Sequence, residues 1–315
     1  MPWNLGLGTG AGGGERMLLC KRAALPADWR TNGATPTAGQ ATVIENMFVS
    51  QYNVEKKLPD WVAYVLQGGL DRSRAIREND KFKPENNNNM GATKQEIANA
   101  FSRNCNCNAE PYHQGHLAPF AEFAHNAVAA GSTYSVFNVV PQFASSNTKG
   151  GDWALFELAI RNFLNDMPAG EKIHVVAGSY YGMDGDYALR NTELTIPTHM
   201  WKVFCDPSSR ISWGVWTYND EETKTNGYGF WLHSVRFIEE RLALMYGSRS
   251  YELFPDARCN TAQDIGVTRA VLEAAGMALH YFPAGCNTIS DPSIVCQPKP
   301  ASGTVVYWDK SGKCL

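Results

Sequence analysis

The stretch Tyr112–His125, YHQGHLAPFAEFAH, holds three of the seven histidines in a chain of 315 residues. It is either a metal site built of imidazoles or a segment in which one histidine does acid–base work. Zinc sites with two histidines on one helix space them i, i+4, so that both rings leave the same face. Here His113 and His116 are three apart, Gly115 lies between them and Pro119 follows. That spacing reads as a turn, and no Glu stands between the histidines to act as a base. The pattern argues against zinc and for a single working histidine, with His125 as a surface or core residue.

Downstream, FNVVPQFASSNTKGGDWALFELAIRNF (Phe137–Phe163) has helical periodicity in its second half. The apolar stripe is expected at Trp153, Phe156, Ile160 and Phe163. Glu157 then leans toward the buried side, where a carboxylate is costly unless something pairs with it. Its partner is either Arg161, an i, i+4 pair contributing a few tenths of a kcal/mol, or a hydrated cation. SVRFIEERLALMYG (Ser234–Gly247) reads as a second helix. DWVAYVL, KIHVVAGS, HMWKVFC and ISWGVWTY are rich in β-branched and aromatic residues and read as strands. Strands with interspersed helices and no regular β-α-β alternation predict an α+β domain, with a central antiparallel sheet flanked by helices.

That domain is placed at residues 42–280. Residues 1–41, rich in Gly, Ala, Pro and Thr, read as a flexible arm. Gly8–Gly13 fits G-x-G-x-x-G, but no strand precedes it and no amphipathic helix follows, so it is not a dinucleotide loop. Residues 281–315, with Cys286, Cys296, Cys314 and four Pro, read as a Cys-rich tail packed on the domain.

A hydrophobic fraction of 44% and a net charge of −3 describe an ordinary globular chain, so any attraction for nucleic acid must be local. No apolar run is long enough for a membrane span, and nothing implies a protein partner. The eight Cys contain no C-x-x-C pair. They read as long-range disulfides in an oxidising, extracellular setting, with scattered buried thiols as the alternative. The start, MPWNLGLGTGAGGGERMLLCKR, has too short an apolar stretch for a secretion leader, so secretion is inferred from Cys alone.

Gly115-His116-Leu117-Ala118-Pro119, Asn138-x-x-Pro141-Gln142, Asn147 and Trp153-x-x-x-Glu157 together resemble the DNA/RNA non-specific endonucleases of the ββα-metal type. That family includes endonuclease G and the secreted sugar-non-specific nucleases. WVAYVL, VVAGSYY, IPTHMWKVF and the helix from Ser234 fall in the same order, so the likeness covers about residues 58–256. The cysteines add a likeness to the secreted, disulfide-bearing animal branch.

The resemblance implies a ββα-metal motif, a metal-dependent hydrolysis of phosphodiester bonds, and DNA, with RNA as a further substrate. His116 matches the family's general base, a task suited to an imidazole near neutral pH. Asn147 matches the ligand of a hydrated Mg²⁺ (or Mn²⁺), and Glu157 the carboxylate that holds metal-bound water, with Asn138 a further candidate ligand or else a turn residue. Arg77 falls where the family grips the scissile phosphate. Arg72, Arg74, Lys81 and Lys83 surround it as a patch that would bind backbone rather than bases; a solvated charged loop is the alternative.

Two departures stand out. The family's Asp-Arg-Gly-His is here His113-Gln114-Gly115-His116, leaving Gln114 as a neutral phosphate contact. Asn147 and Trp153 are also two residues further apart, the extra pair being Gly150-Gly151. Two other classes therefore stay open: a nuclease-fold protein that binds nucleic acid but cuts poorly, and, less favoured, a zinc protein using His113, His116 and His125.

Overall fold

Successive side chains of a strand point to opposite faces, so nearly unbroken apolar strand segments let one sheet bury both of its faces. The structure, a computed structural model, is described for residues 18–19, 40–44, 47–73, 112–148, 151–181, 187–188, 194–208, 211–219, 231–247, 251–254 and 259. The strands are β1 Leu18–Leu19, β2 Gln40–Ile44, β3 Phe48–Asn53, β4 Leu58–Gln67, β5 Tyr112–His116, β6 Val139–Phe143, β7 Lys172–Tyr180, β8 Tyr187–Ala188, β9 Thr195–Ile196, β10 His199–Asp206, β11 Ile211–Tyr218 and β12 Trp231–His233. The helices are α1 Ala127–Ser132, α2 Ala144–Asn147, α3 Asp152–Asp166 and α4 Val235–Met245.

Among the described residues the main sheet has eight strands in the order β1-β2-β3-β4-β7-β10-β11-β12. Every pairing in it is antiparallel except β1 with β2. The fold is α+β, as expected. Strand β10 shows why it holds together: Met200 and Phe204 join the core on one face, while Trp201, Val203 and Cys205 join the core on the other. A strand buried on both faces reads in sequence as a nearly unbroken apolar run, as HMWKVFC does. On the second face α4 packs Phe237, Ile238 and Leu242, with the Ser234 hydroxyl accepting from the Phe237 N–H as its cap.

The first face carries α3 and a separate two-stranded hairpin, β5–β6. Helix α3 buries Trp153, Phe156, Ile160 and Leu164, with Phe163 only half-buried. At 3.6 residues per turn Leu164 lies about 20° from Trp153 around the helix, and Phe163 about 80°. The buried stripe therefore ends at Leu164, not at the Phe163 the sequence suggested. Phe156 meets Phe204 of β10 edge-on, ring centroids 5.8 Å apart.

Other expectations also change. Tyr112–His116 is a strand, not a turn; the turn follows it, and Phe120–Phe123 forms a 3-10 helix. Leu18–Leu19, inside the stretch read as an arm, pairs with Val43–Ile44. Residues 281–315 lie outside the described residues, as does the Gly8–Gly13 run. One disulfide is described, Cys205–Cys259, which ties residue 259 to β10 across 54 residues of chain. The other six Cys lie outside the described residues.

Candidate active site

The hairpin fixes the histidine motif by register. His113 faces Gln142, Gly115 faces Val140, and His116 ends β5 opposite Val139. Gly115 is required by a close approach: a Cβ there would lie 2.5 Å from both Cβ and Oε1 of the buried Gln142. Pro141 lacks an N–H, and a two-stranded ribbon tolerates that where a central strand would not. His116 is half-buried, its ring edge-on to Tyr134 with centroids 4.9 Å apart, and its Nε2 is shielded from solvent. His113 and Gln114 are half-buried beside it.

The chain just after His116 is clamped by Asn138. Its Oδ1 accepts from the Ala118 N–H at 2.8 Å, and its Nδ2 donates to the carbonyls of Ala118 and Thr133 at 2.9 and 2.8 Å. The Leu117 N–H donates to the Asn138 carbonyl at 3.1 Å. Asn138 is fully buried, and its carboxamide is committed to backbone, the arrangement of a positioning residue. A second asparagine, Asn219, fixes the hairpin to the sheet. It accepts from the Phe143 N–H and donates to the carbonyls of Pro141 and Pro197.

β5 and β6 pair across a connection that holds α1, and β6 is followed by α2 and then α3, so two paired strands and a helix form a ββα arrangement. Asn147, at the end of α2, is half-buried. The extra glycine beside it has a steric reason, because a Cβ on Gly151 would fall 1.9 Å from the Ser145 carbonyl oxygen. Gly151 thus lies directly against the backbone of α2.

On α3, Glu157 has a side chain only 16% exposed, with the fully buried Lys202 of β10 at 3.8 Å. The Trp153 indole N–H donates to the same oxygen, Oε1, at 2.9 Å. The Lys202 ammonium also sits 5.0 Å from the Trp153 ring centroid and 6.0 Å from that of Tyr64. Beside this pair lies Glu122, fully buried on the 3-10 helix. Burial, and secondarily the charge of Glu157, pushes the Glu122 carboxyl up to about 7, while Lys202 and Arg161 pull the other way. The Tyr64 hydroxyl stands by that carboxyl but bonds the Leu117 carbonyl at 3.4 Å; neither Glu122 oxygen has a hydrogen bond of ordinary geometry among the described residues.

The sequence profile of the DNA/RNA non-specific endonuclease family matches residues 26–251. The chain belongs to that family. A curated relative, named Nuclease, from Nostoc sp. (strain PCC 7120 / SAG 25.82 / UTEX 2576), is 24% identical over 175 residues. The match covers 55% of this chain and 58% of the relative, so it spans less than two thirds of the relative's length. A crystal structure of the EndoG/EndoGI complex, described as giving the mechanism of EndoG inhibition, aligns with a TM-score of 0.49 and 16% identity. That alignment covers 69% of this chain and 87% of the other.

In this endonuclease-family chain the basic run divides. The Arg72 guanidinium donates to the carbonyls of Glu122 at 2.9 Å and Leu70 at 3.2 Å, and also to that of Gln67. It ties the end of β4 to the 3-10 helix, and burial lowers its pKa. Arg74, Arg77, Lys81 and Lys83 lie outside the described residues. Sequence reading missed Lys202, Glu122 and Asn219; a charged residue inside an apolar run (Lys202 in HMWKVFC) was the one available signal. Among the described residues no group of three or more His, Cys, Asp and Glu could hold a metal ion. The oxygen donors of Asn147 and Glu157 instead suit a hard cation that keeps most of its waters. No helix among them is long and apolar enough to cross a membrane.

Proposed function

We propose that the protein is a metal-dependent endonuclease that hydrolyses phosphodiester bonds of DNA, and of RNA, with little sequence specificity. The observation that carries this reading is the ββα unit, in which β5 ends on His116 and the chain runs through β6 to Asn147 on α2 and Glu157 on α3. His116 is the general base. With Nε2 shielded from solvent, Nδ1 is the nitrogen that takes the proton from the attacking water. The Asn138 clamp keeps the backbone beside it from drifting, since a small displacement of a base lowers the rate steeply. Asn147 would hold Mg²⁺ or Mn²⁺ through its amide oxygen, with Glu157 binding the ion's waters. When bound, the ion supplies positive charge to the phosphate and to the departing 3′ oxygen. Arg77 is the cation for the scissile phosphate, and Arg74, Lys81, Lys83 and Gln114 line its approach, while Arg72, expected beside them, is spent on the backbone carbonyls of Gln67, Leu70 and Glu122. The Cys205–Cys259 disulfide supports an extracellular setting.

The test is nicking of supercoiled plasmid with Mg²⁺, Mn²⁺ or chelator. Cutting should need the ion and disappear in His116→Ala, while DNA binding and Tm persist; full cutting by that variant would refute the base assignment. A second reading, binding with little catalysis, is favoured by one observation: His113-Gln114 stands where the family has Asp-Arg. It prevails if the unaltered chain binds without cutting and His113→Asp with Gln114→Arg switches cutting on.

A further inference from the structure

We propose that Lys202 is a positioning residue of this site, its ammonium holding the Glu157 carboxylate in the orientation that serves the hydrated ion. A fully buried lysine is rare unless paired, and Lys202 sits on the core face of β10 between Met200 and Phe204, with no exposure. Its Nζ has no hydrogen bond of ordinary length among the described residues, and its nearest counter-charge is Glu157 Oε1 at 3.8 Å. The indole of Trp153 bonds the same oxygen. One hydrogen-bond donor from the preceding helical turn and one positive charge from the sheet therefore meet at a single carboxylate oxygen, which favours one orientation of the carboxyl group. Stability alone is a weak account of such a pair, because desolvation offsets most of the attraction and an apolar replacement is often neutral. Orientation of a group that holds metal-bound water is a distinct effect, one that commonly changes metal affinity or activity.

The proposal rests on the reading of Glu157 as the water-holding carboxylate, and the variants separate the two. Lys202→Met alone leaves Glu122 and Glu157 without their shared counter-charge and can lose the fold, so Lys202→Met is combined with Glu122→Gln, and each is also made singly. On full-length protein, Tm, Mn²⁺ binding by calorimetry without DNA, and kcat and KM on DNA are measured. The double variant should keep its Tm, bind Mn²⁺ about 10-fold more weakly and lose about 10–100-fold in kcat at unchanged KM. Glu122→Gln should keep both Mn²⁺ affinity and kcat. Recovery of kcat and Mn²⁺ affinity along with Tm in the double variant would overturn the proposal, leaving Lys202 a counter-ion for Glu122. Tighter Mn²⁺ binding would overturn it too, because Lys202 would then act only as a repelling charge. If Glu157→Gln behaves as wild type, the Glu157 reading fails and Lys202 falls with it; if Glu157→Gln is impaired and the double variant is not, the Lys202 proposal alone falls.

Discussion

Asn138 shows how much one side chain can contribute to a site without touching a substrate. Its carboxamide satisfies one N–H and two carbonyls of buried backbone downstream of His116, at Ala118 and Thr133. Truncation leaves those groups unpaired, and an unsatisfied buried group costs about 1–3 kcal/mol. Asn138→Ala should therefore lose roughly 2–4 kcal/mol in urea unfolding. Its kcat should fall, while the Mg²⁺ concentration for half-maximal cutting stays put. A shifted metal requirement would return Asn138 to the role of ligand. In sequence, an Asn three before a Pro is equally a turn residue; only the fold brings Ala118 and Thr133 to its two ends.

Helix α3 was legible almost residue for residue, since a 15-residue amphipathic segment carries its own periodicity. Its inner edge was misassigned by one position, because Phe163 is the more apolar choice but Leu164 has the better angle. Leu164→Ala should accordingly destabilise by about 2–5 kcal/mol and Phe163→Ala by less; thermal melts of the two variants decide it. The β5–β6 hairpin was misread as a turn. Local signals there, a Gly and a nearby Pro, describe turns in general, whereas the strand exists by pairing with Val139–Phe143, well beyond it in the chain.

At the scale of the molecule, buried charge should govern stability against pH. Burial raises Glu122 from about 4.5 to about 7 and Glu239 likewise, so the folded state binds protons more tightly than the unfolded one, and these groups favour folding at low pH. Their contribution falls as pH rises from about 4.5 through about 7. His199 and His233, lowered to about 3 chiefly by burial and then by Arg241, act oppositely: stability rises from about pH 3 to about 6.5 and stays. Glu122 is faced by Lys202, Glu157, Arg161 and Tyr64. Glu122→Gln should thus gain on the unaltered protein as pH rises from 5 to 8, by at most about 3 kcal/mol, in chemical denaturation at each pH. A pH-independent difference would place the Glu122 carboxyl in water. Opening Cys205–Cys259, which spans 54 residues, should lower stability by about 4 kcal/mol in the chain-entropy estimate, read as a Tm drop in Cys259→Ser.

From the sequence alone came the α+β class, the long strands, both long helices, the family and the order of His116, Asn147 and Glu157 along the chain. These follow from local periodicity and short motifs, which depend on neighbours a few residues away. The tertiary structure alone decided that Glu157 meets Lys202, that Glu122 shares their buried pocket of charge, and that Asn138 and Asn219 act as clamps. Those contacts join residues distant in sequence: Lys202 lies 45 positions beyond Glu157, on a strand whose pattern says only that it is buried. Burial makes each of these polar groups depend on a specific partner, and a linear pattern can reveal that a partner is needed but not which residue supplies it.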